Sequence, residues 1–367
     1  MKWNWQRRDW PNFTYKTADI AKFEANLLYR LGLIVGAHKH LNDVDLETLK
    51  IELIANEAFS TSDIEGEIVN LDNLKSSIRR NLGLNTDHRK IRANEQGIAD
   101  LMIDLYHNFS GKLTHDILFK WHKMLMNGRY DFTDLGKYRT KYDPRQIISG
   151  NYDNPKILFE APSAEIVTQE MTQFIKWFND SAPNSNNPTK PLIRAAIAHL
   201  YFSSIHPFAD GNGRIARALS VKALSQSTQQ PLLTAFSTII QNNKQQYYDA
   251  LAASNKKNEI TQWIIYFAQT LLKSQNHTKI SIEFLIAKTK IQQNLQNQLN
   301  SRQENVLNRI FAEGPKGFKD GLNADYYIKA AHTSRPTATR DLQDLVNKKA
   351  LIKTGMLKGT RYQLDTK

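Results

Sequence analysis

Apolar residues recur every three or four positions along most of the chain, the spacing of helices that pack one face on a common core. Ile20, Phe23, Leu27, Leu31 and Ile34 form one such stripe between Tyr15 and about Leu41, and the Trp-rich leader before it reads as a folded cap. A second helix is predicted from about Asp45 to Ser62, ending at Asp63-Ile64-Glu65-Gly66, with others at 69–82, 90–108, 114–127, 163–181, 190–204 and 212–226. Thr114, two residues before Asp116, offers a side-chain oxygen to the free N–H groups of a helix start. The pattern breaks at 136–162. There, Ile147-Ile148 and Ile157-Leu158-Phe159 flank Gly150, Asn151, Asp153, Asn154 and Pro155. Short apolar runs around such a cluster predict a small β-hairpin standing on a helical body. Pro183 to Pro191 reads as a loop. Nine of the fourteen residues from Gln292 to Asn305 are Gln or Asn, which predicts a polar helical connector outside the core.

The tail runs ENVLNRIFAEG, then TSRPTATRDLQDLVNKKALIKTG, then KGTRYQL. A helix, a turn, a second helix with basic residues at its start and a two-stranded ribbon follow in the order of a winged helix-turn-helix, whose second helix enters a major groove. The expected fold is therefore mainly α. It comprises an N-terminal helical domain over 1–100, a helical core with a hairpin over 101–275, a helical linker over 276–303 and a winged helix-turn-helix over 304–367. No internal repeat is present.

Composition narrows the classes. The 367 residues are 41% apolar and 23% charged, the balance of a globular chain with a sizeable core. The absence of cysteine removes disulfides, zinc–thiolate sites, iron–sulfur clusters and a cysteine nucleophile. No run of 18 apolar residues occurs, so no spanning helix and no membrane partner are expected. The start, MKWNWQRRDW, shows no apolar leader, and the cytoplasm is the expected compartment. The net charge of +13 points to an anionic partner. From Lys279 to Lys367 there are 16 basic and 8 acidic residues, so most of the excess belongs to the tail.

The densest chemistry lies in His206-Pro207-Phe208-Ala209-Asp210-Gly211-Asn212-Gly213-Arg214-Ile215-Ala216-Arg217. One apolar helix arrives, proline breaks it, and another departs with Ile215, Leu219 and Ala223 facing inward. The turn places free backbone N–H groups at a helix N-terminus, and Gly211 and Gly213 let the backbone approach an anion closely. Arg214 and Arg217 both reach that anion from the first turn. There they oppose the helix dipole unless something negative binds. Asp210 is an oxygen ligand suited to Mg²⁺ beside phosphates. His206 alone in this stretch takes up a proton near neutral pH. The set predicts attack of a hydroxyl on a nucleotide phosphate. Eight fixed residue types in twelve positions arise by chance at on the order of 10⁻¹⁰ per start, which excludes coincidence.

HPFADGNGRIAR resembles the full signature of the Fic family, His-x-Phe-x-Asp/Glu-Gly-Asn-Gly-Arg-x-x-Arg, without departure, and the resemblance covers roughly residues 45–275. It implies a Fic-type helical core and a protein adenylyltransferase that moves AMP from Mg-ATP to a Ser, Thr or Tyr hydroxyl of a target protein or of itself. On that resemblance His206 deprotonates the hydroxyl and Asp210 holds Mg²⁺. Gly211, Asn212 and Gly213 form an anion hole, and Arg214 and Arg217 hold the β- and γ-phosphates. An intact Gly213 favours AMP transfer over phosphoryl transfer. The hairpin falls where Fic proteins carry a flap that aligns the target by β-pairing, which makes Ile147, Ile148, Ser149 and Gly150 the expected contacts. Unpaired backbone on an edge strand binds extended peptides in this way. Tyr247 and Asn255 match the family's adenosine-contacting pair, with helix packing the competing reading for Tyr247.

Thr61-Ser62-Asp63-Ile64-Glu65-Gly66 fits the family's inhibitory pattern Ser/Thr-x-x-x-Glu-Gly, which implies that Thr61, Glu65 and Gly66 restrain the enzyme, Glu65 by pairing with Arg217. The same glutamate could instead position water and drive AMP removal, and the sequence leaves both open. A DNA-binding regulator acting through Arg335, Thr337, Thr339, Arg340, Lys358 and Arg361 is the alternative from another class. His115, His122 and His199 read as structural histidines. The leader WNWQRRDWPNFTY resembles a small helical domain found upstream of some Fic proteins. A homo-oligomer is left open.

Overall fold

Helices dominate, as the apolar spacing predicts. The computed structural model describes residues 2–38, 41–84, 87, 89–131, 133–140, 146–149, 156–317 and 321–365. The helices run α1 (Thr17–His38), α2 (Asp43–Ile64), α3 (Leu71–Asn81), α4 (Ala93–Asn108), α5 (His115–Leu125), α6 (Ala164–Asp180), α7 (Pro191–Ile205), α8 (Asn212–Thr228), α9 (Phe236–Gln241), α10 (Lys244–Ser254), α11 (Thr261–Asn294), α12 (Ser301–Gly317), α13 (Ala324–Ala331) and α14 (Arg335–Asn347). Strands β1 (Gln146–Ser149) and β2 (Lys156–Glu160) precede α6, and β3 (Leu351–Thr354) and β4 (Arg361–Leu364) follow α14. The chain divides into two compact units, 1–33 with 50–275, and 34–49 with 276–367. Among the described residues no helix is long and apolar enough to cross a membrane.

At the centre of the first unit, α7 packs along α8. Thirteen of the fifteen residues of α7 are buried, so this helix is enclosed on every side rather than amphipathic. Two buried cations in this region are satisfied by backbone. Arg194 donates to the carbonyls of Phe178 (2.8 Å) and Ala223 (3.1 Å) and lies over the Phe178 ring. Lys222 donates to the carbonyls of Asn108 and Phe109, both at 2.9 Å, a cation at the C-terminus of α4 where the helix dipole favours it. Local capping follows the sequence: Thr114 Oγ1 accepts the Ile117 N–H at the start of α5, and Pro191 occupies the first turn of α7. The predicted hairpin is present, with Gln146 opposite Glu160, Ile147 opposite Phe159, and an irregularity before Ile148. Gly150 lies outside the described residues.

The second unit has its own apolar cluster, built on Ile291, Leu295, Val306, Ile310, Leu342 and Tyr362 among others. Strands β3 and β4 pair antiparallel, and Leu322 bridges to Tyr362 beside them. Buried Asp341 joins this cluster to the start of α12, accepting from Arg302 Nε (2.8 Å) and the Tyr327 hydroxyl (3.0 Å). The Gln/Asn-rich stretch departs from expectation. It is not one polar helix: α11 stops at Asn294, Asn297 turns the chain at φ 62°, and α12 begins at Ser301. Asn300 Oδ1 caps the new helix by accepting from the N–H groups of Arg302 (3.1 Å) and Gln303 (3.0 Å). Leu295 is buried in the core, so the segment contributes to packing despite its composition. Asparagine's tolerance of left-handed geometry and its capping oxygen explain the break.

The α4–α5 contact has one position without tolerance. A Cβ on Gly97 would lie 1.8 Å from the Met124 carbonyl oxygen, a backbone atom that cannot rotate away. Gly97→Ala is therefore expected to lower the melting temperature by about 3–8 °C. Gly111→Ala, whose Cβ would meet nothing nearer than 3.7 Å, should stay within about 1 °C of wild type in the same calorimetric scan.

Candidate active site

The turn from α7 to α8 is held in one shape by its own side chains. His206 ends α7 in the left-handed region (φ 50°), its N–H on the Phe202 carbonyl, and Gly211 precedes α8 at φ 81°. At Gly211 a Cβ would press on Leu125 and Met126 at 3.3 Å, so both conformation and space require glycine. Asn212 Oδ1 accepts from the Phe208 N–H (2.9 Å) while its Nδ2 donates to the Phe208 carbonyl (2.8 Å). Below, the buried Phe208 ring stacks on His122 at 4.3 Å. His122 Nδ1 accepts from the Gly136 N–H at 3.0 Å, and burial, against the pull of Asp210, holds this imidazole down at about 4. From the flap side, Arg139 donates to the His206 carbonyl (2.9 Å) and to that of Pro162, just past β2. Nothing in the sequence singled out Arg139. Its signal is tertiary.

The two motif arginines are buried, at 3% and 1% exposure of their side chains, and each meets a carboxylate from the segment after α2 or its last turn. Arg217 Nη2 donates to Glu65 Oε1 at 2.6 Å and to the Thr61 carbonyl at 3.0 Å, and its Nε donates to Thr61 Oγ1 at 2.7 Å. Thr61 lies in the last turn of α2 and Glu65 immediately after its end, four positions on, so both side chains reach the same arginine. Gly66 then adopts φ 77°, a left-handed helix end that favours glycine. Beyond it the chain swings Glu67 onto Arg214, a contact missed because Glu67 lies outside the recognised pattern. Arg214 also lies 3.6 Å from Asp210 Oδ1. Burial alone would lower Arg217, but the Glu65 carboxylate together with the Tyr247 and Tyr248 phenols more than offsets it and keeps the guanidinium above its usual range. Arg214 Nε and Arg217 Nη1 are buried without a hydrogen-bond partner among the described residues. Unmet donors on two cations beside a helix N-terminus are a seat for an anion.

Gly213 sits where the carboxylate and the arginine meet. A Cβ there would lie 2.2 Å from Glu65 Oε1 and 3.2 Å from Arg217 Nη1. Asp210 is partly exposed, 3.5 Å from Arg129 Nη1, and its Oδ1 accepts from the Gly211 N–H at 2.6 Å. No group of three or more His, Asp or Glu residues that could hold a metal occurs among the described residues. A lone carboxylate suits Mg²⁺ that arrives with phosphates rather than a resident ion in a protein cage.

The α2 end is tied to α9 and α10. Lys244 Nζ donates to the Asp63 carbonyl (2.6 Å), Gln241 to Asp63 Oδ2 (2.9 Å) and the Tyr248 hydroxyl to the Ile64 carbonyl (3.1 Å). Tyr247 is buried with its hydroxyl 2.9 Å from His199 Nε2, and burial pushes its phenol up. Asn255 is also buried, accepting from Ser204 Oγ at 3.4 Å. The structure thus brings Thr61, Glu65, Gly213, Arg214 and Arg217 together, and the Arg217 charge works against the burial that raises the Tyr247 phenol. His115 and His199 are hydrogen-bonded to Tyr138 and to Ser220 and Tyr247, respectively.

One further acid lies on the same face of α2. Glu57, a turn before Thr61, is buried and accepts from the Ser237 N–H at 2.8 Å and its hydroxyl at 2.6 Å. Burial raises its carboxyl to about 7, against the hydrogen bonds from Ser237 and the charge of Arg217. Folding thus favours the protonated form. This group's contribution is complete below about 4.5 and lost as pH rises through about 7. Wild-type stability should carry a component that falls by on the order of 3 kcal/mol across that window. Denaturant melts at stepped pH should show this component gone in Glu57→Gln.

Three comparisons place the chain. Residues 112–224 match the Fic/DOC family profile, and residues 3–84 match a domain of unknown function (DUF4172). Among curated relatives, protein adenylyltransferase fic-1 of Caenorhabditis briggsae is 24% identical over 252 residues, 68% of this chain and 44% of that protein. Its Caenorhabditis elegans counterpart is 25% identical over 236 residues, 63% and 41% of the two. The chain therefore spans less than half the length of these relatives. A Fic family protein from Desulfovibrio desulfuricans shares the fold at TM-score 0.52 and 22% identity, covering 93% of this chain and 95% of that one. Fic-1 from C. elegans gives TM-score 0.52 at 21% identity over 72% and 74% of the two chains. Profile, relatives and fold agree with the folded His206–Arg217 turn: the chain carries a Fic/DOC family domain.

Proposed function

We propose that the chain is an Mg-ATP-dependent protein adenylyltransferase held in check by its own Glu65. The observation that carries this reading is the Glu65–Arg217 pair at 2.6 Å, set against Gly213 where an anion would otherwise sit. His206 takes the proton of a target Ser, Thr or Tyr hydroxyl as its oxygen bonds the α-phosphorus. The bond to the β-phosphate breaks, and pyrophosphate leaves. Backbone N–H groups of Asn212 and Gly213 face the developing charge, joined by that of Gly211 once it gives up Asp210 Oδ1, and Arg214 and Arg217 hold the β- and γ-phosphates. Asp210 would hold Mg²⁺, which supplies charge neutralisation on the phosphates when bound. Tyr247 and Asn255 flank the adenosine, and the β1 edge, Ile147 to Ser149, pairs with the target. Glu65 occupies the γ-phosphate's place on Arg217, and Glu67 covers Arg214 in the same way.

Incubation with Mg²⁺ and α-labelled ATP, read by gel and intact mass, tests the reading. Glu65→Gly should gain label at least about tenfold faster than wild type, a barrier change of about 1.4 kcal/mol. Glu67→Gln should show a smaller gain, and Glu65→Gly with His206→Ala none. If instead wild type strips AMP from labelled protein and Glu65→Gly does not, the glutamate serves AMP removal. A Glu65→Gly protein that binds ATP and takes no label sinks the transferase assignment.

We also propose that residues 304–367 form a winged helix that binds DNA. In its support, Arg335, Thr339 and Arg340 are exposed at the start of α14, and the paired strands β3 and β4 follow that helix. Binding to random duplex should weaken steeply with salt. Arg340→Ala should reduce the log–log slope by about 1, and absence of any shift at low salt would remove this property.

A further inference from the structure

The leader before α1 is built into the first unit by contacts that converge on the flap and the catalytic turn. Asn4 is fully buried. Its Nδ2 donates to Ser204 Oγ at 2.8 Å, two residues before His206, and its N–H donates to the Asn255 carbonyl at 2.7 Å. Trp5 Nε1 donates to the carbonyl of Glu160, the last residue of β2, at 2.7 Å. Trp3 meets the buried Phe159 ring edge-on at 5.4 Å. Further along, Arg7 donates to the Lys256 carbonyl, and Thr14 forms a parallel bridge with Glu259. One short segment thus grips the base of β2, the end of α7 and the turn carrying Asn255.

Helix packing alone does not require these bonds. A tryptophan ring would bury its area equally well without its N–H placed on a strand-end carbonyl, and a buried asparagine is costly unless its donors are met. Glu160 pairs with Gln146, and Phe159 with Ile147, so whatever fixes β2 fixes the register of β1. Arg139 braces the same end of the hairpin from the catalytic turn. The hairpin base is therefore held from two sides, by Arg139 and by the leader.

We propose that Trp3, Asn4 and Trp5 form a positioning clasp that sets the flap and the Asn255 turn in register with His206, which gives a task to the start of the domain of unknown function. The clasp rests on the transferase reading for its consequence, and on geometry for its existence. A reacting hydroxyl displaced by about 1 Å costs up to about a hundredfold in rate. Loss of the Trp3 and Trp5 contacts, which reach β2 and not the Asn255 turn, therefore acts on transfer, while ATP, seated on Arg214, Arg217 and Asn255, binds as before.

The test uses the full chain in the Glu65→Gly background with Trp5→Phe, which keeps an aromatic ring and deletes the Nε1 donor, and with Trp3→Leu as a second variant. Backbone amide exchange is read at 146–149 and 156–160, together with kcat and ATP KM for self-modification. Exchange in the hairpin should quicken about tenfold in both variants, and kcat should fall about tenfold at unchanged ATP KM. Unchanged hairpin exchange in both variants, or a rise in ATP KM matching the loss of kcat, would overturn the clasp. Failure of the parent Glu65→Gly protein to take label counts against the transferase reading alone, because exchange still judges the clasp.

Discussion

Arg217 is a guanidinium at 1% exposure in the middle of a helical unit, and much of the site follows from what that demands. A buried charge stripped of partners is strongly destabilising, whereas one that is paired and hydrogen-bonded is tolerated. The Fic/DOC segment on α7 and α8 does not supply that pairing in this structure. Thr61 and Glu65 do, from α2, with Glu57 lying one turn further back on the same face. The two matched segments, 3–84 and 112–224, are therefore not independent modules joined by a linker. They share two ion pairs, Arg217–Glu65 and Arg214–Glu67, each buried on its arginine side. On the proposed function, the same requirement would let a nucleotide compete: a phosphate would meet the arginine with charge of the same sign as the carboxylate it displaces.

The catalytic turn was legible because it is contiguous. Twelve adjacent residues carry the proline break, both glycines and both arginines, and the structure places them on one turn. The helices were legible because apolar spacing survives in the sequence, from the Ile20–Ile34 stripe to α8. What escaped depends on tertiary closure. Glu67 reaches Arg214 only because Gly66 turns the chain, Arg139 ties two carbonyls that lie far from it in sequence, and Asn4 contacts Ser204 across 200 positions. No local periodicity encodes such contacts. The Gln/Asn stretch failed for a different reason. Composition averages over positions, and a single leucine at 295 with two asparagines, at 297 and 300, decides where that segment bends and what it buries.

The restraint and the machinery can be separated physically. Asn212 staples the Phe208 backbone, His122 supports the Phe208 ring, and Arg139 holds the His206 carbonyl. None of these contacts involves Glu65 or Glu67. The turn is preorganised whether or not the carboxylates are in place, and preorganised donors are what electrostatic catalysis needs. Release then requires no refolding of the site. Under the proposed restraint it would require two carboxylates just past the end of α2 to give up their arginines, next to a glycine already in a left-handed conformation. A hundredfold shift in such an equilibrium takes about 2.7 kcal/mol, the scale of ion pairs to buried arginines rather than of a domain movement. Lys244, Gln241 and Tyr248 hold the same helix end from its other side. Whatever loosens α9 and α10 therefore loosens Glu65 as well, and the grip on Arg217 is set as much by those three side chains as by the glutamate itself.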